Sequence, residues 1–187
     1  MMGKERLMDR DIDHVLVDEE SIRKRVAELG EQLSRDYAGK EVVLLCILKG
    51  ASVFFTDLAR ALDLHIKMEF MSISSYGDSQ ETSGVVRITK DMDSSIEGKD
   101  VIIAEDIMDS GLTLSHLKKV LAARNPNSLK ICTLLDKPSR RICDLQPDYC
   151  GFTIPNEFVV GYGLDYAGLY RNLPYVGVLK PSVYSGE

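Results

Sequence analysis

Three carboxylates within five residues, Glu105, Asp106 and Asp109, run straight into Ser110-Gly111-Leu112-Thr113. This is the stretch whose residue types can do chemistry. Crowded carboxylates repel one another, and a cation or a polyhydroxyl ligand relieves that repulsion. An aspartate such as Asp109 can also take a proton as a general base. The hydroxyls of Ser110 and Thr113, with a backbone that Gly111 lets come close, suit an anion. A helix beginning here would add free N–H groups and the positive end of its dipole, the usual seat of a phosphate. The turn is not a P-loop, because no Gly-Lys-Ser/Thr follows at the required spacing. On the residues alone, Asp109 reads equally well as the N-cap of that helix.

The elements that must position this turn are legible on both sides of it. Val101-Ile102-Ile103-Ala104 is apolar throughout and mostly β-branched, the pattern of a strand covered on both faces. Leu114, Leu117, Val120 and Leu121 have helical spacing. Two further apolar runs end in basic residues: Val42 to Leu48 stops at Lys49-Gly50, and Leu129 to Leu135 stops at Asp136-Lys137-Pro138. Ile22, Val26, Leu29 and Leu33 predict a helix from about Glu19 to Tyr37, with Asp18 as N-cap and Gly39 as stop. Ser52 is expected to cap a second helix that turns Phe54, Leu58, Ala61 and Leu62 to the sheet. Leu64, Ile66, Met68 and Phe70 alternate with His65, Lys67 and Glu69, which predicts a half-buried strand with the second set outward. The polar run from Ser74 to Gly84 is expected to be a long loop, either a functional lid or disordered. Strand character resumes from Val85 to Lys90. The stretch from Asp91 to Asp100 reads as a turn. Short strands are expected at 149–154, 158–162 and 175–179, with a loop over 165–172. Alternating strands and helices give an α/β fold with a mainly parallel central sheet flanked by helices. Ligands of such sheets sit at the carboxyl ends of the strands, where Lys49-Gly50, Glu105-Asp106 and Lys137 fall together.

Composition narrows the class. A chain of 187 residues suits a single domain, 1–187, with a real core. Hydrophobic residues at 44% and charged residues at 28% are ordinary for a globular protein. A net charge of -6 argues against nucleic acid as the main partner. The longest apolar run is too short to cross a bilayer, and the charged start lacks a signal core, so no membrane is expected. Cys46, Cys132, Cys143 and Cys150 form no CxxC pair, which fits a reduced, cytoplasmic setting. His14, His65 and His116 are isolated and lack the spacing of metal ligands.

The run from Ile103 to Thr113 resembles the phosphoribosyl diphosphate (PRPP) signature of type I phosphoribosyltransferases, with Ser110 where many members carry Thr. Ile47-Leu48-Lys49-Gly50 resembles the pyrophosphate loop of the hypoxanthine-guanine branch of that family. Ser74-Ser75-Tyr76-Gly77 resembles the start of its flexible catalytic loop, and Phe158 to Tyr166 with Arg171-Asn172-Leu173-Pro174 its purine-binding region. The likeness runs over about residues 10 to 181, and the bacterial members match best.

The resemblance implies the type I phosphoribosyltransferase fold, with a small hood formed by the chain termini. It implies a Mg2+-dependent purine salvage enzyme that transfers the phosphoribosyl group of PRPP to hypoxanthine or guanine, giving IMP or GMP and pyrophosphate. Asp109 would be the general base. Lys49, Gly50 and Arg171 would meet the pyrophosphate, with a cis peptide before Lys49. Glu105 and Asp106 would hold the ribose hydroxyls near the metal, and Asp165 a second metal ion. Asp109, Ser110, Gly111, Leu112 and Thr113 would wrap the 5'-phosphate. Lys137 would meet the purine O6, Phe158 would stack on the base, Val159 would offer backbone groups, and Asp165 would border the base. Ser75 and Tyr76 would belong to the lid. A homodimer or homotetramer is implied. Three rivals stand beside this reading: a phosphoribosyltransferase for another base such as xanthine, a regulator on the same fold that binds PRPP or nucleotide, and an unrelated α/β phosphate-binding protein. Residues 1 to 9 and those after Lys180 carry no signal.

Overall fold

The computed structural model describes residues 6–75 and 86–185. Most of the expected lid, including Tyr76 and the stretch to Gly84, lies outside the described residues. Ser75 ends a strand, where it pairs with Val86.

In chain order the elements are β1 (Ile12–Val17), α1 (Glu19–Asp36), β2 (Val42–Leu48), α2 (Ser52–Ala61), β3 (Ile66–Ser75), β4 (Val86–Lys90) and β5 (Asp100–Met108). Then follow α3 (Leu112–Ala122), β6 (Ser128–Asp136), β7 (Tyr149–Thr153), β8 (Val159–Val160), β9 (Val176–Leu179) and a four-residue helix α4 (Pro181–Tyr184). Six strands form one sheet in the order β4-β3-β2-β5-β6-β7, parallel except for β4. The other three form a small antiparallel sheet, β1-β9-β8.

Period-two burial explains the large sheet. Leu44, Cys46, Ile102, Ala104 and Leu134 point to one side, where Ile22, Val26 and Leu29 of α1 and Phe54 and Leu58 of α2 cover them. Val43, Leu45, Val101, Ile103 and Ile131 point to the other, beneath Leu114, Leu117 and Leu121 of α3. Both faces are therefore dry, which is why β2 and β5 read as unbroken apolar runs. Asp18 caps α1 as expected, its carboxylate accepting the Ser21 N–H at 2.8 Å.

Connections leave β2 toward β3 and leave β5 toward β6 and β7, in opposite directions across the sheet. The crevice between the carboxyl ends of β2 and β5 is thus a topological switch point, the standard ligand position of open α/β sheets.

Two expectations fail, and one element was not foreseen. Ser52 is the first residue of α2 and makes no side-chain cap; Ala51 precedes it in helical conformation, and the Ser52 N–H already bonds Lys49 O at 3.2 Å. The Lys49-Gly50 turn runs directly into the helix and leaves no room for a cap residue. In β3 the burial is reversed around Glu69: Glu69 is buried and Met68 is 47% exposed. A backbone N–H from Asp93 at 3.0 Å satisfies the enclosed Glu69 carboxylate. The segment 12–17, which carried no strand signal, is β1.

β1 and the C-terminal strands make the hood. Ile12 pairs with Leu179, and Ile12, Val160, Tyr170, Leu173 and Leu179 form its own small core. Tyrosine hydroxyls tie it together: Tyr170 donates to Asp11 at 2.8 Å and Tyr175 to Asp9 at 2.5 Å. A third, from Tyr162, reaches Asp57 of α2 at 2.6 Å and ties the hood to the main body.

Candidate active site

The switch point brings the acidic turn and the Lys49-Gly50 turn into contact. The Leu48–Lys49 peptide is cis, as the resemblance implies. Lys49 is exposed, and Gly50 lies against the end of β5. A Cβ placed on Gly50 would sit 1.8 Å from an Asp106 carboxylate oxygen and 3.5 Å from a guanidinium nitrogen of Arg171. No side chain fits there. The same applies at Gly163, where a Cβ would lie 2.1 Å from Gly50 O. Two backbones that are far apart in sequence therefore touch, and Arg171 seals the contact by donating to Gly163 O at 2.6 Å.

Glu105 and Asp106 close the other side. The Glu105 Oε2 atom is enclosed and has no hydrogen-bond partner among the described residues. Burial first, then the neighbouring Asp106 carboxylate, push the Glu105 carboxyl well above the usual carboxylate range. Burial also raises Asp106, and the Ile107 N–H at 2.8 Å and the Arg171 charge pull it partly back. A buried acidic pair with an orphaned oxygen is a site waiting for positive charge. Among the described residues no group of three or more metal-type ligands gathers. Asp165 is committed elsewhere: one oxygen pairs with Arg171 at 2.5 Å, and the other accepts the Gly168 N–H at 2.8 Å.

After Asp109 the chain turns at Ser110 and enters α3. The N-cap is Gly111 at φ +81°, and no side chain caps the helix. Apart from the Leu112 N–H, the first-turn N–H groups are thereby available to an anion. Ser110 Oγ accepts the Leu112 N–H at 3.4 Å, and Thr113 is exposed beside it. Asp109 is therefore not the cap, which removes the competing reading of that residue. Its carboxylate is instead in ion contact with Arg140 at 3.0 Å, without hydrogen-bond geometry.

Lys137 follows β6 and is buried, with burial lowering its ammonium and the Asp109 charge partly restoring it. It donates to Glu157 O at 2.8 Å, so its head lies between the acidic turn and the residue before Phe158. Phe158 is 41% exposed, and Val159 next to it opens β8.

Sequence reasoning missed the pair that follows Lys137. Arg141 is buried, ion-paired with Asp136, and donates to the backbone oxygen of Asp109 at 3.1 Å. The Ile142 N–H bonds Ser110 O at 3.1 Å. Arg140, Arg141 and Ile142 thus hold the acidic turn from behind. The only signal was a basic pair just past Pro138, which taken alone reads as a solvated surface. A cavity of about 580 Å³ between α1, α2 and residues 171–174 shares only Arg171 with these groups and is not where the strand ends converge.

The phosphoribosyl transferase domain family matches residues 15–167. The chain is 53% identical to the hypoxanthine-guanine phosphoribosyltransferase of Bacillus subtilis, over 95% of this chain and 99% of that protein. It is 48% identical to the bifunctional protein TilS/HprT of Listeria monocytogenes over 98% of its own length, while spanning 28% of that longer protein. In structure it superposes on a hypoxanthine phosphoribosyltransferase from Staphylococcus aureus with a TM-score of 0.94 and 51% identity, covering 98% of this chain and 99% of the other. The overall fold is thus shared with a solved hypoxanthine phosphoribosyltransferase, and the chain belongs to the phosphoribosyl transferase family.

Proposed function

We propose that the chain is a purine salvage transferase that moves the 5-phosphoribosyl group of PRPP onto hypoxanthine or guanine, giving IMP or GMP and pyrophosphate. The meeting of Gly50, Asp106, Gly163 and Arg171 at the switch point carries this reading. It sets bare backbone where a pyrophosphate would lie, beside a guanidinium that pairs with Gly163 O and Asp165 and would turn part of its donors to the anion. The uncapped N-terminus of α3 offers the 5'-phosphate its N–H groups, with Ser110, Gly111, Leu112 and Thr113 wrapping it. Glu105 and Asp106 take the ribose hydroxyls and Mg2+. Bound with the pyrophosphate, Mg2+ supplies positive charge that offsets the charge developing on the leaving group.

The base lies between Phe158 and the acidic turn, with Val159 backbone groups along its edge. Lys137 carries three donors, so it can keep Glu157 O and still reach a purine O6. Asp109 accepts the N7 proton as the other ring nitrogen attacks the anomeric carbon. To do so it must be released by Arg140. Asp165 borders the base pocket, and it can serve a second metal ion only by giving up Arg171. Ser75 and Tyr76 open the segment that would close over the reacting centre.

The remaining expectations accompany this reading. Among the described residues no helix is long and apolar enough to cross a membrane. Four free cysteines agree with a reducing compartment such as the cytoplasm. A homodimer or homotetramer is expected, and light scattering of the purified chain checks it. The decisive assay is pyrophosphate release from PRPP and Mg2+ with hypoxanthine, guanine or no base. Base-dependent release supports the proposal, and its absence with both bases refutes it.

A further inference from the structure

A flat base needs one open face of a ring that does not swing. Phe158 immediately precedes a two-residue strand and keeps 41% of its surface exposed, so packing around it is thin. Two other rings hold it. Tyr184 of α4 stacks on it with centroids 4.9 Å apart and planes at 27°. Tyr166 meets it nearly at right angles, at 5.7 Å and 86°. Tyr166 and Tyr184 also meet each other, at 6.4 Å and 67°. Both geometries are favourable for aromatic pairs, and each ring braces the other two.

The tail that delivers Tyr184 is itself fastened. Lys180 donates its backbone N–H to Asp11 O at 2.9 Å and its ammonium to Arg10 O at 2.6 Å. Val183 packs on the hood core. Pro181 begins the turn, and the Ser185 N–H closes it on Pro181 O at 2.8 Å. Tyr184 therefore reaches Phe158 from an anchored segment.

Tyr184 stacks on one face of the Phe158 ring, and Phe158 still keeps 41% of its surface exposed. We infer that Tyr184 is a positioning residue of the base site: it backs Phe158, and the purine completes a three-layer stack of tyrosine, phenylalanine and base. The inference rests on the assignment of Phe158 to the purine made above. Tyr184 does not touch the substrate and acts through the orientation of Phe158.

The test compares Tyr184→Ala, Tyr184→Leu and Tyr184→Phe with the full-length wild type. KM for hypoxanthine, KM for PRPP, kcat and the melting temperature are measured for each. Tyr184→Ala should raise the hypoxanthine KM by about three- to ten-fold, the size of one aromatic pair. KM for PRPP and kcat should stay within two-fold. Tyr184→Phe should restore the wild-type hypoxanthine KM, and Tyr184→Leu, which keeps bulk without a ring, should fall between. A loss purely of structure would lower the melting temperature and shift all three kinetic constants together, which overturns the inference. A lowered hypoxanthine KM in Tyr184→Ala would place the tyrosine on the base's own face and overturn it as well. An active wild type with an unchanged KM in Tyr184→Ala removes the role of Tyr184 alone. A wild type that cannot use hypoxanthine removes the proposed function, and this inference with it.

Discussion

The floor of the site and the hood are built by opposite means. The floor, from Glu105 to Thr113 with Lys49-Gly50, hangs on the ends of buried parallel strands, and its backbone is gripped from behind by Arg141 and Ile142. The hood is a three-stranded sheet with a small core, tied by tyrosine-to-aspartate hydrogen bonds and by three mutually braced rings. A floor of that kind holds groups that must not move during bond breaking. A hood of this kind presents a braced aromatic face. Under the proposed function, phosphoribosyl chemistry and base binding fall to regions built in different ways, with Lys137 between them.

The largest effect should appear at that bridge. With the wild type, adenine should be used about 10⁴-fold less efficiently than hypoxanthine, because an amino donor would face a Lys137 N–H and leave that buried donor without an acceptor. Comparable kcat/KM for the two bases would break the assignment of base choice to Lys137. On the floor, Asp109→Asn keeps shape and removes the proton acceptor. We expect kcat to fall by about 10²–10⁴-fold while the KM values hold. Near-full turnover would reduce Asp109 to a structural residue. Lys137→Met should lower kcat/KM for hypoxanthine and guanine by about 100-fold, the size of a lost charged hydrogen bond, with PRPP binding nearly intact.

Gly50→Ala sharpens the contrast from the floor side. Its Cβ would collide with the Asp106 carboxylate, so we expect the PRPP KM to rise by about ten-fold or more and the hypoxanthine KM to move less. Equal shifts in both would mean that floor and hood do not act separately.

The smallest effect belongs to the hood. Tyr170→Phe removes the hydroxyl that reaches Asp11 and should cost about 1 kcal/mol in chemical denaturation. The pH dependence follows from the same bonds. Hydrogen bonding to Asp11 raises the Tyr170 hydroxyl above its ordinary value, and burial together with Asp9 pushes Tyr175 up to about 12. A group raised on folding stabilises fully below its unfolded value, near 10, and that stability is lost as pH rises through the folded value. The melting temperature should therefore fall from about pH 10 upward, and Tyr170→Phe should weaken that fall. An identical alkaline profile in the variant would remove Tyr170 from the hood's fastening.

The same division governed what the sequence disclosed. β2, β5 and α1 were legible because both-face burial writes continuous apolar runs, and a half-buried helix writes period 3.6. The acidic turn was legible because its residue types are costly without a ligand. β1 was not, since Asp13 and His14 interrupt the pattern and its partner, β9, lies more than 150 residues away. Glu69 was placed outward by alternation because nothing local announces that the Asp93 backbone will enclose it. Arg140 and Arg141 carry charges that mean nothing until the fold sets them behind Asp109. Tyr184 is one aromatic residue near the end of the chain, and its value comes only from Phe158.

The pairing of Ile12 with Leu179 has a consequence for how the protein is made. On the ribosome, residues up to Thr153 supply every strand of the large sheet. The floor can therefore assemble while β9 is still being synthesised. β1 has no partner strand until residues 176–179 emerge, so it waits, unpaired, through most of translation. Closing so long a loop is a slow, non-local step. A released chain truncated between residues 153 and 176 would hold every strand of the large sheet and leave β1 unpaired, its edge open to a neighbouring chain.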